Sequence, residues 1–159
     1  MKLALVGRDG VINENPENGV HHRSQVSFIP GSIDALVQLS RVGYTVIIVT
    51  HQPGISRGLF DLDELEAIHS EITHKVEQAG GEITAIFYCP HDEQDRCHCR
   101  PPSTGLLDVI EIEFDCNTAD ALYFYHTDNE KQMIESKGCQ GIFCNEHTQP
   151  LSQMVNKVM

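Results

Sequence analysis

The densest chemistry in the sequence lies in Cys89-Pro-His91-Asp-Glu-Gln-Asp-Arg-Cys97-His-Cys99, where three thiols and the His91 imidazole fall within eleven residues. Three sulfurs and one nitrogen make a closed tetrahedral zinc site with no position left for water, so such a metal would be structural rather than catalytic. The close spacing of Cys89 with His91, and of Cys97 with Cys99, lets two ligands approach from either end of one short loop. His98 competes with His91 for the fourth place, but its neighbours Cys97 and Cys99 already occupy the metal. Cysteines that end a strand are often buried hydrophobes, yet a loop carrying Asp92, Glu93 and Asp95 is a poor home for buried thiols. Zinc is therefore expected. Cys116, Cys139 and Cys144 are scattered and read as core or surface thiols.

The elements that must position this loop alternate between short β-rich runs and amphipathic stretches. Leu3–Val6 is an apolar run with a glycine after it; Tyr44–Thr50, almost continuously β-branched, suits a parallel strand buried on both faces. Ile83–Cys89, Ala121–Tyr125 and Gly141–Cys144 complete the strand candidates. Between them the spacing predicts a helix from Pro30 to a glycine stop at Gly43, and one opened by an Asp61/Glu64 capping box and ended by Gly80-Gly81. Further helices are expected over Ser103–Phe114, over Asn129–Lys137, and from Thr148 to the end. The acids of the Glu64–Glu77 helix read as a solvated face. This alternation implies right-handed crossovers and an α/β, doubly wound (Rossmann-like) parallel sheet of five to six strands with helices on both faces. One domain over residues 1–159 is expected. In such folds ligands sit beyond the carboxyl ends of the strands, where Gly7–Gly10, Thr50–Gly58, Arg100–Gly105 and Tyr125–Glu130 would converge; His21 and His22 would at most rim that cleft.

With 23 acidic and 11 basic residues the formal charge is -12, which disfavours nucleic acid and anionic membranes as partners. An anionic ligand must then be held by a local arrangement. No apolar run approaches the ~18–20 residues of a membrane span, and Met1–Gly7 is too short for a signal peptide, so a cytoplasmic monomer is expected.

Four segments in this order resemble the motifs of the haloacid dehalogenase (HAD) superfamily, within it the zinc-bearing histidinol-phosphate and heptose 1,7-bisphosphate phosphatases. Gly7-Arg-Asp-Gly-Val-Ile-Asn13 resembles the opening Asp-x-Asp-Gly-x-x-Asn, and Val49-Thr-His-Gln-Pro-Gly-Ile-Ser-Arg-Gly58 the second motif with its substrate loop. Cys99-Arg-Pro-Pro-Ser-Thr-Gly105 resembles the third motif, and Tyr125-His-Thr-Asp-Asn-Glu-Lys-Gln132 falls at the fourth, acidic one. The resemblance implies a phosphatase reaction. One carboxylate attacks phosphorus, a second two residues on acts as acid and base, and magnesium and hydrogen-bond donors neutralise the transferring group.

The resemblance also implies losses. The nucleophile position is Gly7, the third-motif lysine position is Pro101, and the principal fourth-motif aspartate aligns with His126. The second fourth-motif acid aligns with Glu130; a shift of one or two residues would put Thr127 or Asp128 in the principal place. Magnesium would lose one or two ligands and is not expected. Asp9 keeps the acid/base position, where it either serves as a base on water or only orders the first loop by accepting backbone amides. Thr50, Gln52, Arg57 and Arg100 are the candidate phosphate contacts. For Thr50 the alternative is a strand-end cap, and for Arg100 a surface pair with the acids of Asp92–Asp95. His126 and His51, with Asp9 or Glu130, could form a replacement metal site, or be polar fillers. A small cap is expected, with the zinc loop as a partial lid. The functional expectation is a phosphatase fold without turnover that binds a sugar phosphate, another small anion or a protein partner. The alternatives are an active phosphatase of altered mechanism and a purely structural protein.

Overall fold

The computed structural model describes residues 1–159. Five strands, β1 (Leu3–Gly7), β2 (Thr45–His51), β3 (Ala85–Cys89), β4 (Leu122–Tyr125) and β5 (Gln140–Phe143), form one parallel sheet in the order β3-β2-β1-β4-β5. Five helices connect and close it: α1 (Ser32–Arg41), α2 (Leu62–Gln78), α3 (Gly105–Phe114), α4 (Asp128–Lys137) and α5 (Leu151–Val158). The five strand and five helix candidates all fold as read, with shifts at their ends of one to three residues.

The two-residue strand period explains the layers. Ala4, Val6, Val46, Ile48 and Phe124 pack with Leu36 and Leu39 of α1, Ile68 and Ile72 of α2, and Val155 of α5. Their neighbours Leu3, Leu5, Ile47, Val49 and Tyr123 face the other way, onto Leu107 and Ile110 of α3 and Met133 of α4. A strand walled on both sides must be apolar throughout, which is why β2 reads as a continuous β-branched run. Each such side chain contributes about 1.5–3 kcal/mol by burial.

β1 lies at the centre, flanked by β2 (Gly7↔Val49) and by β4 (Val6↔Phe124). The order reverses between β1 and β4, the switch point beyond whose carboxyl ends such sheets hold a crevice. Residues 8–31 hold isolated bridges, Asp9↔Asn13 and Asn13↔Phe28, and a single 3-10 turn at Arg23–Gln25, so no cap domain is inserted. This segment is fastened from below, where Ser32 Oγ donates to the Ile12 carbonyl at 2.7 Å. It is also tied to α2 by Glu64, whose oxygens meet His22 Nε2 at 2.9 Å and Arg23 Nε at 3.2 Å.

That tie corrects two expectations. Asp61 caps α2 by accepting the Glu64 amide at 2.9 Å, but the reciprocal half of the capping box is missing because the Glu64 carboxylate is drawn off to His22 and Arg23. For the same reason Glu64 does not belong to a solvated face: its side chain is only 12% exposed. No helix is long and apolar enough to cross a membrane.

Candidate functional site

Cys89 is the wholly buried last residue of β3, and a one-turn 3-10 helix (Glu93–Asp95) folds the chain back to Cys97 and Cys99. A left-handed Arg96 (φ 52°) makes the return. Cys89 Sγ lies 3.7 Å from Cys97 Sγ, 3.1 Å from Cys99 Sγ and 3.6 Å from His91 Nδ1, which is 3.3 Å from Cys99 Sγ. A tetrahedron with metal–sulfur arms of about 2.3 Å has edges of about 3.8 Å, and a metal–nitrogen arm shortens them to about 3.5 Å. The cluster fits that figure apart from the tight Cys89–Cys99 edge, and no pair approaches the ~2.05 Å of a disulfide. These four residues are the one group of His, Cys, Asp and Glu side chains gathered closely enough to hold a metal ion. His98 is exposed, and it is its carbonyl that is used, accepting from the Gly105 amide at 3.0 Å. Burial raises the Cys97 thiol, but donors from the Cys99 and Arg100 amides outweigh it and bring the group to about 7. Burial pushes Cys89 strongly up. His51 Nε2 donates to the His91 carbonyl at 2.8 Å, so His51 braces this loop.

A cavity of about 750 Å³ lies at the carboxyl ends of β1, β2 and β4. Its wall includes Asp9, Thr50, Gln52, Arg57, Pro101 and Glu130, so most of the expected convergence occurs. Arg100 and His126 are not part of the wall. Arg100 offers its amide to Cys97 instead. His126 Nδ1 donates to the Cys144 carbonyl at 2.8 Å and its ring stacks on Phe143, with centroids 6.0 Å apart. It packs so closely on Gly10 (φ 83°) that a Cβ there would fall 2.5 Å from the ring. The expected grouping of His126 and His51 with Asp9 or Glu130 as a replacement metal site is not assembled, because each imidazole is committed to a loop carbonyl.

The polar groups of the cleft are largely satisfied by one another. Asp9 accepts from Arg8 Nε (2.9 Å) and Asn13 Nδ2 (3.1 Å) on one oxygen and from Gln52 Nε2 (2.9 Å) on the other. Its donors are thus side chains, where backbone amides were expected. Gln52, almost fully buried, also donates to Thr50 Oγ1 at 2.8 Å, which leaves the Thr50 O–H as a donor for whatever enters. Arg57 is half exposed on the rim, its Nε 3.9 Å from Asp92 Oδ2. His21 stacks on Phe60 at 5.3 Å across the mouth.

Two participants, Arg8 and His69, escaped the sequence reading, and a third, Glu130, has a role other than the ones read for it. Arg8, only 1% exposed, places its guanidinium between Asp9 and His69, with Nη1 3.1 Å from His69 Nε2. Guanidinium only donates, so that imidazole nitrogen accepts; burial first, and then the Arg8 charge, lower His69 to about 3. Glu130 closes a capping box with Thr127 at the start of α4: its Oε1 accepts the amides of His126 (3.3 Å) and Thr127 (3.2 Å) and the Thr127 hydroxyl (3.1 Å). Its Oε2 meets only the hydroxyl of buried Tyr123, at 3.3 Å. Burial raises this carboxyl above its ordinary range. The signal for Glu130 was present as Thr-x-x-Glu; none marked Arg8 or His69.

No family model matches the chain. The fold is that of the HAD hydrolases: a HAD-superfamily hydrolase of subfamily IA from Geobacter sulfurreducens superposes with a TM-score of 0.63 over 100% of both chains, at 11% identity. A D,D-heptose 1,7-bisphosphate phosphatase from Bordetella bronchiseptica, complexed with magnesium and phosphate, superposes with a TM-score of 0.93 at 29% identity, over 99% of this chain and 98% of that one. In sequence, the D-glycero-beta-D-manno-heptose-1,7-bisphosphate 7-phosphatase of Pseudomonas putida is 44% identical over 110 residues, 69% of this chain and 63% of the relative. The enzyme of that name from Neisseria meningitidis serogroup A is 36% identical over 138 residues, 87% of this chain and 74% of the relative. The chain belongs to this heptose-bisphosphate phosphatase family, and it spans 63% and 74% of the lengths of those two relatives.

Proposed function

We propose that this chain binds a phosphorylated sugar, or another small anion, without turning it over through a phospho-enzyme. The observation that carries the reading is that Gly7, the residue at the carboxyl end of the central strand, has no side chain; the motif resemblance assigns the nucleophile to this position. Pro101, at the third-motif lysine position, has neither an amine nor a backbone N–H to offer. Asp9 remains, but three side-chain donors already occupy its two oxygens, which suits positioning better than proton transfer. The Cys89, His91, Cys97 and Cys99 cluster holds a structural zinc; its soft donors suit that ion, and it closes the loop without taking part in chemistry. Magnesium binds the cleft weakly, because a hard cation is held chiefly by carboxylate oxygens and residue 7 has no side chain to supply one. The protein acts as a cytoplasmic monomer or with a protein partner, and its -12 charge keeps it from nucleic acid.

The test is phosphate release from D-glycero-D-manno-heptose 1,7-bisphosphate and a panel of sugar phosphates, with magnesium and then manganese. No release above a heat-treated control, together with calorimetric binding of a sugar phosphate, is the expected result. Release by the unaltered protein would favour the second reading, an altered phosphatase, which draws on the magnesium and phosphate complex of the Bordetella relative and on Asp9. Neither release nor binding would leave a structural role. Gly7→Asp with Pro101→Lys asks how much machinery survives; release by that variant alone would show a cleft still shaped for phosphate esters.

A further inference from the structure

Gly7 does not need to be glycine for its backbone, since it is absent from the left-handed glycines of the chain. The reason is space. A Cβ built on Gly7 would lie 2.9 Å from Glu130 Oε2, and 3.4 Å from Val11 Cγ2. The volume that a residue-7 side chain would fill is therefore already taken by the far end of Glu130, reaching across from the start of α4.

The two oxygens of that carboxylate are not equivalent. Oε1 is spent on the helix cap, with three donors around it. Oε2 has one long bond to Tyr123, and Glu130 lines the same cavity as Asp9 and Thr50. An ordinary capping glutamate would account for Oε1 alone; it does not account for an oxygen held over the end of the neighbouring strand.

From this geometry we infer that Glu130 is the specificity-determining residue of the cleft: its carboxylate, seated where a residue-7 side chain would be, excludes a phosphoryl dianion from the end of β1 and accepts a ligand hydroxyl there instead. The inference rests on the proposed reading of the cleft as a sugar-phosphate site and deepens it by fixing which end of the ligand enters. A phosphoryl group brought to Gly7 would meet the Glu130 oxygen at contact distance, and at that range two like charges repel strongly even under an effective dielectric of about 20. A sugar hydroxyl placed there donates to Oε2, while the phosphoryl group stays toward the Thr50 hydroxyl and the Arg57 rim.

The experiment is calorimetric titration of the intact protein with sulfate, whose charge is constant near neutral pH, with inorganic phosphate, and with a sugar phosphate. Glu130→Gln is the central variant, because glutamine keeps the third position of the capping box and removes the charge. Glu130→Asp is the second; it withdraws the carboxylate from Gly7 by one methylene. Both are expected to tighten sulfate and phosphate by on the order of tenfold or more. Adding Thr50→Val should abolish that gain, which places the anion in the cleft. Unchanged or weaker anion binding in both variants, or a gain that survives Thr50→Val, overturns the inference. The reading of the cleft is tested separately. A sugar phosphate that binds the unaltered protein while Glu130→Gln gains no anion affinity leaves that reading standing and sinks the role of Glu130. A variant that gains anion affinity while the unaltered protein ignores sugar phosphates does the reverse.

Discussion

Two groups of reactive side chains sit at the carboxyl edge of one sheet, and they are organised in opposite senses. After β3, three thiols and an imidazole gather at a common centre, their ligand atoms all within 4.8 Å of one another. After β1, β2 and β4, the carboxylates and amides point at each other: Arg8 and Gln52 to Asp9, Gln52 to Thr50, Tyr123 and Thr127 to Glu130. The first arrangement is a donor set gathered on one point. The second is nearly complete as it stands. Donor atoms in a wall say little about ligand binding until one asks whom they already serve.

The largest effect that would break this comparison concerns the cysteine loop. Metal binding is linked to folding because the ligands must be gathered and deprotonated. Cys89→Ser, or a chelator strong enough to strip the ion, should therefore lower the melting temperature by about 10 °C or more in a chain of this size. A smaller change equal in the two treatments, or no zinc in protein purified without chelators, would show the loop to be a thiol cluster and no more.

Next comes acid sensitivity through His69. Its folded pKa is lowered to about 3 from 6.5, so below 6.5 the unfolded chain binds the extra proton and stability falls with falling pH. At about pH 4.5 the loss from this group approaches ~2.5 kcal/mol. Urea unfolding at about pH 7 and 4.5 should show His69→Gln losing less than the unaltered protein; parallel losses would mean that the imidazole is not held neutral.

Arg8→Met removes the charge that balances Asp9 and leaves that carboxylate with Asn13 and Gln52 alone, at a cost of about 2 kcal/mol. The same variant should raise the His69 pKa, read by NMR, because one of its two depressing causes is gone. The smallest effect is the most local. Gly7→Ala should destabilise by about 1 kcal/mol by crowding Glu130 Oε2, and by less in a Glu130→Ala background. Equal costs in the two backgrounds would separate Gly7 from Glu130.

The layers were legible because β-branched runs and helical periods repeat locally. Cys89, His91, Cys97 and Cys99 were legible because a metal loop carries its whole ligand set in one segment. The cleft was harder because its contacts cross between strands far apart in the chain. Arg8 looks like a surface residue between Gly7 and Asp9, and only the neighbouring α2 makes it buried, through His69. Glu130 was read as the fourth motif's second acid, when its Thr127 partner already announced a helix cap; that its second oxygen ends over Gly7 depends on the β1–β4 pairing, which no spacing encodes. Glu64 failed the other way: a valid capping pattern with Asp61 lost its second half to His22 and Arg23, forty residues upstream.

The close approach of Gly105 to His98 sets the terms on which the cysteine loop could be transplanted. A Cβ at residue 105 would fall 2.2 Å from the His98 carbonyl oxygen, the acceptor of the Gly105 amide. The portable unit is therefore not the four ligands but the stretch from the last residue of β3 to the first turn of α3. A graft that carried Cys89 to Cys99 onto another strand end and met a larger residue at the helix start would arrive with its ligands correct and its return path blocked.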